Sequence, residues 1–358
     1  MRNSFPLLVA MLIICGTAHA EAYRLTTVAE GLDSPWCVAF LPAGEMLITE
    51  RPGQLRRVSA SGELGPPIDG VPEVFFAGQG GLFDVAIHPD FPRNQLIYLA
   101  YAGGDIKANA THLASARLVG NKLEDVDVIF AVTPSKSTPH HFGGKVVFLP
   151  DGSLVLTTGD GFDHREQSQN PKVLLGKTVR VNDDGSIPAD NPFRGDDAGH
   201  PAVWTLGHRN PQGLAYDPER KTLFLHEHGP RGGDEINILQ PGNNYGWPVI
   251  TYGIDYTGAR LTPFTEMPGL EQPTTSWVPS IAPSGLAVYR GSLFPQWTGD
   301  LLVGALVDRE VRRVDPDTGE QEALFSELEQ RIRDVRVGPE GAIYLVTDAG
   351  NLIRVTPE

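Results

Sequence analysis

Six times this chain returns to one local pattern: an apolar residue or pair, then a Pro- or Gly-bearing turn with an acidic residue or Gly, then a short run of strand formers. Phe40-Leu41-Pro42-Ala43-Gly44 precedes Met46-Leu47-Ile48-Thr49, and Ile87-His88-Pro89-Asp90 precedes Leu96-Ile97-Tyr98-Leu99. Phe148-Leu149-Pro150-Asp151-Gly152 precedes Leu154-Val155-Leu156-Thr157, and Tyr216-Asp217-Pro218 precedes Thr222-Leu223-Phe224-Leu225. Val337-Gly338-Pro339-Glu340-Gly341 leads into Ile343-Tyr344-Leu345-Val346, and a degenerate copy, Trp297-Thr298-Gly299-Asp300, leads into Leu301-Leu302-Val303. Each copy reads as strand, turn, strand, because Pro presets the turn backbone and Gly accepts its left-handed position. The copies lie roughly 40 to 80 residues apart, room for a four-stranded antiparallel blade with loop insertions. A lone blade cannot cover both faces, whereas six packed around an axis can. The expected fold is therefore all-β, a six-bladed propeller.

Other features agree with one ring. The 40 Gly and 30 Pro suit many tight turns rather than long helices. The first strand, Tyr23 to Val28, and the last, Asn351 to Val355, are expected to share a blade and close the circle. No linker divides the chain, so residues 21–358 are expected to form one domain. Residues 160–200 and 242–283 are the longest stretches without the repeat. They are expected as loops on the ligand face, where a propeller keeps its function.

The formal net charge of −15 argues against a broad nucleic-acid surface, which needs clustered Lys and Arg. Residues 1–20 read as a secretory signal peptide: Arg2, an apolar run from Leu7 to Ile14, and an Ala18-His19-Ala20 cleavage site. That run is short for a bilayer span, so stable membrane insertion is not expected. Ile14 before Cys15 argues against lipid attachment. The expectation is a soluble, exported protein of the bacterial periplasm. Cys37 is then the only cysteine left, and its setting (Trp36-Cys37-Val38-Ala39-Phe40) favours a buried structural thiol over a nucleophile.

Four constellations bear chemistry. His140-His141-Phe142-Gly143-Gly144-Lys145 places two imidazoles just before a strand. Imidazole exchanges protons near neutral pH, and the glycines let a flat partner approach the backbone. Adjacent strand residues point to opposite faces, and no H-x-x-x-H or C-x-x-C spacing offers further ligands, so zinc is disfavoured. One structural histidine and one base is the preferred reading. In Thr205-Leu206-Gly207-His208-Arg209-Asn210-Pro211, the Arg209 fork suits a carboxylate or a developing oxyanion, and equally an Arg-Asn staple of the turn. His228-Gly229-Pro230-Arg231-Gly232-Gly233-Asp234-Glu235, with Asn243-Asn244-Tyr245-Gly246-Trp247 downstream, offers carbonyls and carboxylates to Ca²⁺, and equally makes an ordinary acidic turn. Arg331 and Arg333 alternate on one strand, as a polycarboxylate ligand would require or an exposed edge strand would allow. No G-x-S-x-G elbow, Walker A or G-x-G-x-x-G motif occurs.

In this order, and over essentially the whole mature chain, these segments resemble the soluble sugar dehydrogenases that depend on pyrroloquinoline quinone (PQQ). The bacterial aldose sugar dehydrogenase branch is the most similar. The resemblance implies a six-bladed propeller, PQQ and Ca²⁺ as cofactors, and oxidation of aldoses at C1 to lactones with an unidentified electron acceptor. It also implies roles. His141 matches the general base, and Gln79, in Ala77-Gly78-Gln79-Gly80-Gly81, a side chain near quinone and substrate. Arg209 and Asn210 match cofactor contacts. Gly229 and Pro230 match carbonyl ligands of the quinone-binding calcium, and Glu235 and Tyr245 ligands of a second, structural calcium. Tyr256, Ser280 and the Ala282-Pro283-Ser284 stretch resemble cofactor-lining residues. Arg331 and Arg333 match partners of the cofactor carboxylates. The chain departs where the family's glucose dehydrogenases carry a Lys: Leu306-Val307-Asp308-Arg309-Glu310 has none, and Arg309 is the candidate substitute. The stretch from Trp247 to Trp277 is shorter, which implies a more open site and leaves monomer or homodimer open. Two alternatives remain: a calcium-dependent propeller lactonase, and a non-catalytic glycan-binding propeller.

Overall fold

The computed structural model describes residues 22–195 and 198–358, so the expected signal peptide lies outside the described residues. Among the described residues, six four-stranded antiparallel sheets form, and their innermost strands ring a common axis. These strands are Pro35–Phe40, Leu82–Ile87, Gly143–Phe148, Pro211–Asp217, Pro283–Val288 and Ile332–Val337, each packed against the inner strand of the next blade. Tyr23–Ala29 pairs antiparallel with Leu352–Pro357, so the first and last strands among the described residues share one blade and close the ring. No helix among the described residues is long and apolar enough to cross a membrane.

The repeated turns form as their sequences dictate. In three copies the residue before Pro donates its N–H to the carbonyl four residues on: Leu41 to Glu45, Leu149 to Ser153, Gly338 to Ala342. A glycine three residues on donates back to the starting carbonyl, with φ of +82° at Gly44, +85° at Gly152 and +89° at Gly341. Glycine adopts that region without a Cβ clash. The strand after the turn is sandwiched between neighbouring blades. Met46–Glu50, Leu154–Thr158, Leu301–Ala305 and Ile343–Thr347 are consequently buried at every position rather than at alternate ones.

Two expectations about loops need correction. The 160–200 stretch contains the strand Lys177–Val181, and 242–283 contains Thr275–Trp277. Both strands pair inside their blades, and long turn-rich flanks masked them in the sequence. The stretch at 329–335 is likewise no exposed edge, because Ile332–Val337 is the innermost strand of its blade.

One irregularity builds the site. Every pairing of an inner strand with its neighbour shifts register at the start of the inner strand, as at Gly143/Val146, Pro211/Gly213 and Ile332/Asp334. Such bulges bend a strand and re-aim its side chains. The residues immediately before these strands, among them His141, Asn210, Ala282 and Arg331, thus collect at one end of the axis.

Candidate active site

His141 stands two residues before the strand Gly143–Phe148, in left-handed backbone at φ +51°. Its Nδ1 lies 2.7 Å from Asp160 Oδ1, and both side chains are buried. Asp160 also accepts from the Trp247 indole at 2.8 Å and from the Phe162 N–H at 2.8 Å. Burial alone would raise the Asp160 carboxyl, but His141, Arg209 and the Phe162 amide together hold it below its ordinary value. Nδ1 of His141 therefore carries the proton, and Nε2 keeps its lone pair for the cleft that His141 lines. Burial lowers the His141 pKa below its ordinary value, and Asp160 opposes that shift. The imidazole is neutral, a competent base, at pH 7.

The backbone around His141 is held from both sides. Gln79 Oε1 accepts the His141 N–H at 2.8 Å. A Cβ on Gly159 would sit 2.1 Å from the His141 carbonyl oxygen. Gly159→Ala must therefore displace His141. Overpacking of this kind costs about 1–3 kcal/mol, and a shift of about 1 Å at a reacting group costs on the order of 10²-fold in rate. The expected result is a folded protein with a lowered thermal midpoint and most of its turnover gone, read by calorimetry and steady-state kinetics.

Arg209 crosses the same cleft. Its guanidinium donates to the carbonyls of Gly229 at 2.6 Å and His228 at 3.1 Å, and to the Tyr256 hydroxyl at 3.4 Å. Asn210 Oδ1 accepts from the Gly143 N–H at 3.3 Å. A cleft of about 370 Å³ is lined by His141, Asp160, Phe162, Arg209, Trp247 and Tyr256, among others. Beside it lies a cavity of about 240 Å³ with Gln79, Asn210, Ala282, Arg331 and Arg333 on its walls. Trp36, Phe83 and Phe142 give that cavity flat apolar surfaces. His228 and Ala282 are common to it and a third, larger space lined by Gly229, Pro230, Tyr256 and Ser280.

The structure places the remaining candidates as follows. Arg331 and Arg333 converge on Asp348, with Nε–Oδ distances of 2.7 and 2.8 Å, so an internal carboxylate already lies between these two cations. Ser280 donates to Asp234 at 2.6 Å while lining the larger space. Ser284 is turned away, donating to the Ile332 carbonyl at 2.6 Å, and the Pro283 carbonyl meets His228 Nε2 at 2.6 Å. Arg309 is exposed, and Leu306 is the residue of its loop that reaches the smaller cavity.

The oxygen-rich turn fits a hard cation. Burial, together with the charges of Glu227 and Asp234, pushes Glu235 up to about 8, the mark of a carboxylate lacking a counter-charge. Asn237, on the same strand, has a buried Oδ1 with no hydrogen-bond partner. The α-carbon of Gly229 is so crowded by the carbonyls of Gly232 and Gly233 that a Cβ there would meet them at 2.2 and 2.3 Å. Gly229 O already faces a positive group, Arg209. Hard oxygens with surplus negative charge are what Ca²⁺ takes. The Tyr245 hydroxyl is committed to Ile238 O and the Gln240 N–H, which leaves its backbone carbonyl as its other oxygen.

Reading the residues singly assigned no role to Asp160, Trp247 or Phe162. Asp160 was within reach, since Thr157-Thr158-Gly159-Asp160-Gly161 directly follows a repeat strand. Trp247 closes the stretch that begins at Asn243, but nothing local pairs it with Asp160, 87 residues away.

A six-bladed ring with a His–Asp pair beside an arginine-lined cavity defines a class, and comparison with known proteins agrees with it. The sequence model of the Glucose / Sorbosone dehydrogenase family matches residues 32–354. Aldose sugar dehydrogenase YliI of Escherichia coli is 44% identical over 352 residues, covering 95% of this chain and 94% of that protein. The crystal structure of the E. coli soluble aldose sugar dehydrogenase in its apo form superposes with a TM-score of 0.90 at 41% identity, covering 94% of this chain and all (100%) of that one. The PQQ-bound aldose sugar dehydrogenase of Streptomyces coelicolor gives a TM-score of 0.76 at 29% identity, covering 95% of this chain and 100% of that one. The chain belongs to the glucose/sorbosone dehydrogenase family.

Proposed function

We propose that this chain is a periplasmic quinoprotein that oxidises aldoses at C1 to the lactone, with His141 as general base. One observation carries the reading: the buried His141, paired through Nδ1 with the buried Asp160 carboxylate, lines a cleft shared with Arg209. His141 would take the proton of the anomeric hydroxyl, and Asp160 would stabilise the imidazolium that results. Arg209 would face negative charge developing across the cleft. Arg331, Arg333, Asn210 and Gln79 would hold a flat anionic cofactor in the cavity whose walls include Trp36 and Phe142. Gly229 and Pro230 would present carbonyls to one calcium, and Glu235 with the Tyr245 carbonyl to another. When bound, PQQ supplies the electrophilic carbonyl that accepts a hydride, and Ca²⁺ polarises it as a Lewis acid. The resemblance to a PQQ-bound aldose sugar dehydrogenase supports this assignment.

The test is reconstitution. The purified chain is loaded with PQQ and CaCl₂, and dye reduction is followed with several aldoses. Aldose-dependent reduction that disappears on chelation with EGTA is expected. Failure to take up PQQ, or uptake without aldose oxidation, would refute the assignment and favour a hydrolase or a binding propeller.

Asp160→Asn gives a second test. The tautomer would no longer be fixed, and loss of such a partner lowers turnover by on the order of 10⁴-fold in a comparable triad. The sign of the pH effect also follows. Asp160 raises the His141 pKa, so the acid limb of kcat/KM, already below the ordinary histidine value, moves to still lower pH in the variant. A limb that moved upward would show that the titrating base is another group.

A further inference from the structure

The smaller cavity holds more positive charge than its known partners neutralise. Arg51 lines it together with Arg331 and Arg333, and no acidic side chain stands on its walls. Asp348 pairs with both Arg331 and Arg333, and it is their shared carboxylate. Arg51 has no carboxylate partner among the described residues. Its guanidinium donates instead to two neutral carbonyls, Gly78 at 2.5 Å and Gly80 at 3.0 Å, and lies 5.5 Å from the Phe76 ring centroid. Three guanidinium groups thus line a half-enclosed, flat-walled space, and only two of them are paired with its one nearby carboxylate. Like charges at low dielectric repel strongly, and a polyanion between them relieves the repulsion. Burial, and next the charge of Arg333, lower the Arg51 pKa, while Asp348 opposes the shift. Arg309, the candidate substitute for the lysine absent from its loop, is exposed and does not line this cavity.

We propose that Arg51, from the turn after the strand Met46–Glu50, is a third carboxylate-binding cation of this cavity, completing the Arg331–Arg333 pair toward a flat polycarboxylate. The inference rests on the proposed quinone site and adds to it a residue from a different blade. Arg51 also anchors both sides of Gln79, whose carbonyl oxygen Oε1 holds the His141 N–H. The same guanidinium therefore ties cofactor charge to the placement of the base.

The experiment measures the Kd of PQQ for the calcium-loaded chain by tryptophan quenching at two salt concentrations, with Arg51→Gln and Arg51→Lys alongside. A charge-assisted contact is worth about 1.5–3 kcal/mol, so Arg51→Gln should weaken binding about tenfold or more. It should also flatten the salt dependence, while Arg51→Lys, which keeps the charge, recovers most of both. Unaltered affinity and salt slope in Arg51→Gln, with normal uptake by the parent chain, would overturn this inference alone. So would equal weakening in both variants with an unchanged salt slope, which would make Arg51 only a staple of the 78–80 turn. No PQQ uptake by the parent chain would overturn the proposed function, and this inference with it.

Discussion

His141→Ala should bind PQQ and Ca²⁺ as the parent does and lose aldose turnover by about 10²–10⁴-fold, the usual contribution of a positioned general base. The separation of effects follows from the layout. The cavity assigned to the quinone is walled by Trp36, Gln79, Phe142, Asn210, Arg331 and Arg333 among others, while His141 lines the adjoining cleft. Gln79 grips the His141 backbone, which alanine retains. Alanine at φ +51° is strained, a cost of about 1–2 kcal/mol. His141→Asn is the companion variant, because Asn tolerates left-handed backbone and offers no base. Both variants should show quenching by PQQ and dye reduction slowed by about 10²-fold or more. Normal turnover in either would remove His141 from the role. In the parent, kcat/KM should hold level through neutral pH and fall only below the ordinary histidine value, because burial depresses this imidazole.

Asp334→Ala should cost about 3–5 kcal/mol of folding stability, the usual penalty for removing one partner of a buried ion pair. Asp334 and Lys145 face each other at 3.0 Å with side-chain exposures of 0% and 3%. Arg336 bridges Asp334 and Asp84, at 2.9 Å to each, and Cys37 donates to Asp84 at 2.6 Å. The carboxylates also accept backbone N–H groups from Val38 and Val146. Inner strands of four blades thus meet on one charged cluster at the axis. Removing Asp334 leaves Lys145 buried over the Trp36 ring without an anion. Urea denaturation reads the loss. A Lys145→Met/Asp334→Leu double variant should regain much of it, because neutral packing carries no desolvation penalty. Burial would raise the Asp334 carboxyl, but Arg336 and Lys145 outweigh it and hold it below the ordinary value. Its stabilisation is therefore present above the unfolded pKa and is lost as pH falls through the folded one. Asp334→Asn should blunt that acid transition. A single Asp334→Ala variant as stable as the parent would deny the cluster its structural role.

Much of the ring was legible in the chain. The turns of Leu41 to Glu45, Leu149 to Ser153 and Gly338 to Ala342 are local, and Pro and Gly impose them wherever they occur. Cys37 was also correctly read: it is fully buried, and burial raises its thiol pKa. The site was partly legible. His141, Arg209 and the Gly229–Glu235 turn carry unusual residue types side by side, so they signal chemistry without neighbours. Ser284 shows the limit, since its place beside Ala282 in sequence did not predict that its hydroxyl would turn to Ile332.

What the sequence by itself determined is periodic and short-ranged: hairpins, turns, and the residue types ahead of each inner strand. Only the tertiary structure decided which of those residues meet. Asp160 serves His141 from 19 residues away, Trp247 reaches Asp160 across 87, and Arg51 shares a cavity with Arg331 and Arg333 from another blade. Closing a ring brings the starts of six inner strands to one axis, and bulges there set the direction of each side chain. Contacts made by closure depend on the whole circle of blades, so no local stretch of sequence encodes them.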